Sequence, residues 1–199
     1  MKKAYIFDLD GVLIDSKYMM EQSWDLCKLE HNLTQSFDEY FKCIGMPFKD
    51  ILNAIGIKDN QEAIKHTYEK SSIELMEHCL EFYSDVEETL KELKKDCKIG
   101  IVTSKDASRT KLILENLNVE FDSVVSPKSG LRGKPAPDQL LFCMSMLNVD
   151  PQDAVYVGDM TVDYWASQRA GIDFIHAEYG YGKVKCEHSV KQIKQLLSL

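Results

Sequence analysis

What the chain lacks narrows the field first. Its six cysteines, Cys27, Cys43, Cys79, Cys97, Cys143 and Cys186, include no Cys-x-x-Cys pair. No zinc ribbon or dithiol redox motif is therefore written in the sequence. The cysteines read as small apolar residues of a reducing compartment. His31, His66, His78, His176 and His188 show no metal-ligand spacing either. Positive charge is in deficit, with 24 Lys and Arg against 32 Asp and Glu, a net charge of -8 and a pI near 5.2. That balance argues against a nucleic-acid or anionic-membrane partner. A small anionic substrate stays possible, because a metal ion and a few lysines can reverse the sign inside one pocket. No apolar run approaches a membrane span, and MKKAYIFD reaches charge too soon for a signal peptide. The expectation is a cytoplasmic protein, monomer or homodimer.

What is present fits one medium domain, or a core with a small insertion: 199 residues, 44% hydrophobic and 28% charged. Five short apolar runs read as buried parallel strands: Ala4–Phe7, Ile99–Val102, Ser123–Val125, Ala154–Val157 and Asp173–Ile175. After Lys98 they alternate with helical stretches at Thr110–Leu117, Asp138–Leu147 and Val190–Leu199, whose apolar residues recur at three-and-four spacing. Asp85–Asp96 reads as a further core helix. Strand and helix in alternation predict an α/β fold, a doubly wound Rossmann-like core on a parallel sheet.

Between the first strand and Lys98 the rhythm fails. No strand is evident there, and the stripes Met20, Trp24, Cys27 and Ile64, Tyr68, Leu75, Cys79, Phe82 are helical. So long a departure between core strands reads as an inserted unit. The predicted organisation is an α/β core from residues 1–15 and 83–199 with an all-helical insertion at 16–82.

Polar residues then collect where such a sheet keeps its site, beyond the carboxyl ends of its strands. Asp8 and Asp10 follow the first strand in YIFDLDGVLIDS. Thr103 and Ser104 follow KIGIV, and Asp159 follows AVYVG. Asp163 stands four residues further on, on the same face of a helix start. Acidic groups at helix starts are common, and any one of these motifs alone could be a capped turn. Together Asp8, Asp10 and Asp159 make a set of hard oxygen ligands suited to Mg²⁺, with Asp163 behind them. Lys134, in GKPAP, could balance the carboxylates or bind a phosphate oxygen. EYGYG, Glu178–Gly182, is either a rim of the site or a plain loop.

DLDGV at Asp8–Val12, the Thr103–Ser104 pair, the Lys134 loop and GDMTVD at Gly158–Asp163 stand in an order that resembles the haloacid dehalogenase superfamily. The stretch from Lys134 to Ile172 is similar to its phosphoglycolate phosphatase and β-phosphoglucomutase-like branch, which carries a small helical cap. The resemblance implies a Mg²⁺-dependent phosphatase acting on a small phosphate ester through an aspartyl-phosphate intermediate. In that scheme Asp8 is the nucleophile and Asp10 the acid and base. Asp8, the backbone carbonyl of Asp10, and Asp159 hold the metal with Asp163 in support, while Thr103, Ser104 and Lys134 bind the phosphoryl group. It implies that the cap selects the substrate, which makes Lys42, Lys49 and Trp24 candidates for specificity, with Ile44–Lys49 as the specificity loop. Trp24 reads more readily as ordinary cap core, because apolar stripes usually pack. Two alternatives stand beside the phosphatase: a sugar phosphomutase using the same aspartates, and a non-catalytic regulatory or binding relative.

Overall fold

The computed structural model describes residues 2–199. Its main sheet has six strands, all parallel: β1 (Ala4–Phe7), β4 (Lys98–Val102), β5 (Ser123–Val125), β6 (Ala154–Gly158), β7 (Asp173–Ala177) and β8 (His188–Val190), in the order β5-β4-β1-β6-β7-β8. A small antiparallel ladder joins β2 (Ile14–Asp15) to β3 (Glu81–Phe82).

Alternation along β1 shows how the layers form, since successive side chains leave a strand on opposite faces. Tyr5 and Phe7 enter one apolar cluster with Leu90 and Leu93 of α5 (Val86–Leu93), Ile113 of α6 (Ala107–Leu114), and Ile193 and Leu196 of the C-terminal 3-10 helix Ile193–Ser198. Ala4 and Ile6 enter the other, with Leu140, Met144 and Leu147 of α7 (Asp138–Leu147) and Ala166 and Ala170 of α8 (Thr161–Ala170). Both faces of β1 are covered, as a parallel sheet requires. The fold is the doubly wound α/β core expected from the strand and helix rhythm.

Four helices lie between β2 and β3: α1 (Lys17–His31), α2 (Phe37–Phe41), α3 (Phe48–Ala54) and α4 (Gln61–Cys79). They hold their own apolar cluster, in which Trp24 stacks on Tyr40 with ring centroids 4.6 Å apart. Ser36 begins α2 with a reciprocal cap: its hydroxyl accepts from the Glu39 amide, and the Glu39 carboxylate accepts from the Ser36 amide.

The structure departs from the sequence reading at several elements. Phe82, assigned to a helical stripe, lies on β3; a two-residue strand offers no alternation to read. Val190, assigned to a terminal helix, closes strand β8, and the helix after it is 3-10 rather than α. His188–Val190 is exposed on two of its three residues, which hid it as a strand. Helix α6 begins at Ala107 rather than Thr110, because Asp106 caps it by accepting from the Arg109 amide at 3.0 Å.

Candidate active site

Strand order builds the site. β4, β1 and β6 are neighbours, so Thr103, Asp8 and Asp159 leave three adjacent strand ends on one edge of the sheet. Oxygen atoms of Asp8, Asp159 and Asp163 lie within 4.8 Å of one another, and all three residues are buried. Gly11 turns the chain over them. Its φ is +77°, and a Cβ there would stand 2.2 Å from Asp159 Oδ2. Gly180 closes in beside it, where a Cβ would fall 2.4 Å from both the Asp159 Cβ and the Gly11 carbonyl oxygen. Both approaches are open only to glycine.

Lys134 is the cation at the centre. It is 1% exposed, with Nζ 2.9 Å from Asp8 Oδ2 and 2.6 Å from Asp163 Oδ1. It also donates to the Tyr156 hydroxyl at 3.2 Å. Burial works against its charge, but Asp163 and Asp8 outweigh burial and hold the ammonium above its ordinary pKa. The other Asp163 oxygen accepts from the Met160 amide at 2.9 Å, capping α8. Both Asp163 oxygens are thus engaged by the protein. Its place is behind Asp8, fixing Lys134.

Three buried carboxylates face this one buried lysine. Burial, opposed by Lys134 and reinforced by Asp163, pushes Asp8 up to about 7. Asp159 is raised well above its ordinary range, first by burial and then by the charges of Asp163 and Asp8. Asp8 Oδ1 and Asp159 Oδ1 are both buried without a hydrogen-bond partner. A buried polar atom without a partner is costly, and two of them in one acidic pocket fit a hard divalent cation such as Mg²⁺.

Asp10 sits at the mouth, with Lys105 Nζ 3.1 Å from its Oδ1, and the same oxygen accepts from the Ser16 hydroxyl. Thr103 is buried, and its hydroxyl accepts from the Lys105 amide at 3.1 Å. Ser104 donates to the carbonyl of Gly45 at 2.6 Å, tying the strand-end loop to the helical unit above it. Together the core and the helices enclose a cavity of about 70 Å³. Asp8, Asp10, Thr103 and Ser104 line it from below, and Met20, Tyr40, Ile44 and Tyr68 are among the residues that line it from above.

The three cap candidates are elsewhere. Lys42, at the end of α2, and Lys49, in α3, are exposed and do not line the cavity. Trp24 is wholly buried in the helical cluster, its indole N–H donating to the Gln35 carbonyl at 3.1 Å. The Ile44–Lys49 segment does reach the cavity, through Ile44, Gly45, Met46 and Phe48.

Sequence reading passed over Lys105, Arg109, Tyr40 and Tyr68 as residues of the cavity wall. Lys105 directly follows the Thr103–Ser104 pair and could have been found there. Arg109 could not, because only the packing of α4 above it makes it a wall residue. Tyr181, from EYGYG, lines the cavity too, so that loop is a rim. Its amide donates to Asp159 Oδ2 at 2.7 Å, and its hydroxyl accepts from the Ser16 amide at 2.6 Å.

The parallel α/β core thus carries a buried acidic cluster at its strand ends, beneath a helical unit inserted between β2 and β3. The family model for haloacid dehalogenase-like hydrolases matches residues 5–177, and the chain belongs to that family. It is 34% identical over 173 residues to the pyrophosphatase PpaX of Bacillus velezensis, covering 84% of this chain and 79% of that one. It is 30% identical over 190 residues to the phosphoglycolate phosphatase of Aquifex aeolicus, covering 93% and 89%. A haloacid dehalogenase-like hydrolase from Streptococcus pneumoniae shares the fold at a TM-score of 0.87 with 19% identity, over 99% and 97% of the two chains. Among the described residues, no helix is long and apolar enough to cross a membrane.

Proposed function

We propose that the protein is a Mg²⁺-dependent phosphatase that hydrolyses a small phosphate ester through a phosphorylated Asp8. The observation that carries this reading is the buried Asp8–Asp159–Asp163 cluster with two unpartnered carboxylate oxygens beside a buried lysine. The names of the relatives, a pyrophosphatase and a phosphoglycolate phosphatase, agree with it.

In this reading Asp8, Asp159 and the backbone carbonyl of Asp10 would hold Mg²⁺, which would supply positive charge to the phosphoryl oxygens. Asp8 attacks phosphorus in line with the leaving oxygen and becomes an acyl phosphate. Lys134 holds Asp8 by one oxygen and supplies positive charge where the transferring group gathers negative charge. Asp10 protonates the leaving oxygen, then takes a proton from the water that attacks the phosphorylated Asp8. Ser16 and Lys105 hold its carboxylate in place. Thr103 and Ser104 bind phosphoryl oxygens, which requires the Ser104–Gly45 contact to open when substrate enters.

The division of labour is between a catalytic core, residues 1–15 and 83–199, and a cap, residues 16–82, that closes over it. The chain passes between the two only twice, and those crossings pair with each other as β2 and β3. A short two-stranded hinge of this kind lets the cap swing while the core stays rigid.

The test is hydrolysis of a panel of phosphate esters by the wild type, Asp8→Asn and Asp10→Asn, with Mg²⁺ and with chelator. We expect phosphate release only from the wild type with Mg²⁺. Full activity in either variant would contradict the mechanism. A requirement for a sugar bisphosphate with little phosphate released would identify a mutase instead.

A further inference from the structure

Lys134 is held by three acceptors, and one of them, the Tyr156 hydroxyl, has no place in the phosphoryl-transfer steps. An ammonium carries three N–H donors. Each donor of Lys134 has a partner: Asp163 Oδ1 at 2.6 Å, Asp8 Oδ2 at 2.9 Å and the Tyr156 hydroxyl at 3.2 Å. With all three engaged, Lys134 acts on the phosphoryl group through its charge, and the three acceptors fix where that charge lies. Asp8 loosens its own hold during the reaction, because its carboxylate loses charge on becoming an acyl phosphate. Asp163 and Tyr156 keep theirs.

Tyr156 lies in β6, in register with Ile6 of β1, and both side chains enter the apolar layer beneath α7 and α8. The residue is wholly buried, its ring 6.3 Å from that of Phe174 between centroids. A phenylalanine ring would fill this layer as well, and a hydroxyl buried in it is costly unless paired. Here it is paired. Besides accepting from Lys134, it lies 3.1 Å from the Val102 carbonyl and 3.1 Å from Asp163 Oδ1, either of which can take its single proton. Lys134 Nζ stands 5.9 Å from the ring centroid, so the lysine meets the hydroxyl and not the face of the ring. Val102 ends β4, directly before Thr103. One hydroxyl thus joins the end of β4, the Lys134 loop and α8, the segments that carry Thr103, Lys134 and Asp163.

We propose that Tyr156 is a positioning residue: its hydroxyl aims the Lys134 ammonium at Asp8 and keeps it there while Asp8 carries the phosphoryl group. The inference rests on the phosphatase reading of the site and adds to it a residue that touches neither substrate nor metal. No proton passes through Tyr156. Its effect reaches the reaction through Lys134 alone, so it falls on the rate of the chemical step and not on the binding of ester or of Mg²⁺.

The experiment compares the Mg²⁺-loaded wild type with Tyr156→Phe in steady-state hydrolysis of p-nitrophenyl phosphate and of the best substrate in the ester panel. The aryl ester's leaving oxygen departs with little help from an acid, so its rate reports on Asp8 and Lys134 rather than on Asp10. Thermal melts accompany the kinetics. We expect kcat to fall at least about tenfold, the scale of one hydrogen bond to a charged group. We expect KM and the Mg²⁺ concentration for half-maximal activity to stay the same, and the melt to remain cooperative. An unchanged kcat would overturn the inference while leaving the phosphatase reading intact. A fall in kcat joined by a matching rise in KM or in the Mg²⁺ requirement would also overturn it, since that marks a loosened site and not a turned lysine. Loss of the cooperative melt would overturn it too, because the hydroxyl would then be holding the fold. A wild type that hydrolyses no ester would overturn both readings.

Discussion

Tyr181 donates its backbone N–H to Asp159 Oδ2 at 2.7 Å, so a residue of the rim directly orients a carboxylate of the buried cluster. The same residue reaches the hinge. Its hydroxyl accepts from the Ser16 amide at 2.6 Å and donates to Asp15 Oδ1 at 3.1 Å, and its ring meets Phe41 of α2 edge-on at 5.3 Å. One residue thus links the buried cluster, the β2–α1 junction and α2.

Tyr181→Phe keeps the amide contact to Asp159 and the ring contact to Phe41 but removes both hinge bonds. Each neutral hydrogen bond contributes on the order of 1 kcal/mol. We expect kcat/KM to fall several-fold, the Mg²⁺ concentration for half-maximal activity to stay the same, and Tyr181→Ala to be worse on both measures. A change in Mg²⁺ dependence without a change in kcat/KM would show that the hydroxyl does not act through the hinge.

Lys134→Met tests the electrostatic balance of the cluster. The substitution keeps the bulk but leaves Asp8 and Asp163 buried without their cation, and breaking a buried ion pair in this way costs about 3–5 kcal/mol. We expect a marked drop in Tm for the metal-free variant, partly recovered on adding Mg²⁺, and loss of phosphatase activity in either state. A metal-free Tm equal to that of the wild type would mean the cluster does not depend on Lys134.

The metal-free protein has a definite pH response. In the folded state the Asp8 carboxyl is pushed up to about 7, above the ordinary value of 3.8. A group whose pKa is raised by folding contributes stability at pH below its unfolded pKa, and that contribution is lost as pH rises through the folded value. Asp159 is raised in the same direction. We therefore expect Tm in chelator to fall as pH rises from about 4 through about 7. The gain in Tm on adding Mg²⁺ grows over the same range, because the metal binds the carboxylates and not the acids. Thermal melts with and without chelator measure this. A Mg²⁺-induced gain that is constant with pH would mean that no proton is displaced from the cluster.

Much of this architecture could be read from the residues, for physical reasons. Buried parallel strands are continuous apolar runs, so β1, β4, β5, β6 and β7 stood out, and Asp8, Thr103 and Asp159 stood out because charge or hydroxyl follows each run abruptly. Asp163 followed from helical spacing alone. The elements missed were those too short or too exposed to carry a period: the β2–β3 ladder and β8. Lys42 and Lys49 were chosen because they are cations near the cap loop in sequence. The structure turns both to solvent, and the cations of the cavity come instead from the core, as Lys105 and Arg109. Lys105 is marked in the sequence by its place directly after Thr103–Ser104, but Arg109 is not, since its position in the wall depends on Tyr68 and Ser72, more than thirty positions away, closing over α6. Trp24 was legible as apolar but not as remote from the cavity, because periodicity assigns a residue to a face and not to a depth.

The covalent role of Asp8 is open to direct observation. Wild-type enzyme, mixed with Mg²⁺ and a phosphate ester and quenched in acid during turnover, is digested, and the peptide bearing Asp8 and Asp10 is weighed by mass spectrometry. We expect the added mass of one phosphoryl group, located on Asp8, to rise and fall within turnover and to be absent from Asp8→Asn. Phosphate release at the full rate with no phosphoryl group ever found on that peptide would contradict it.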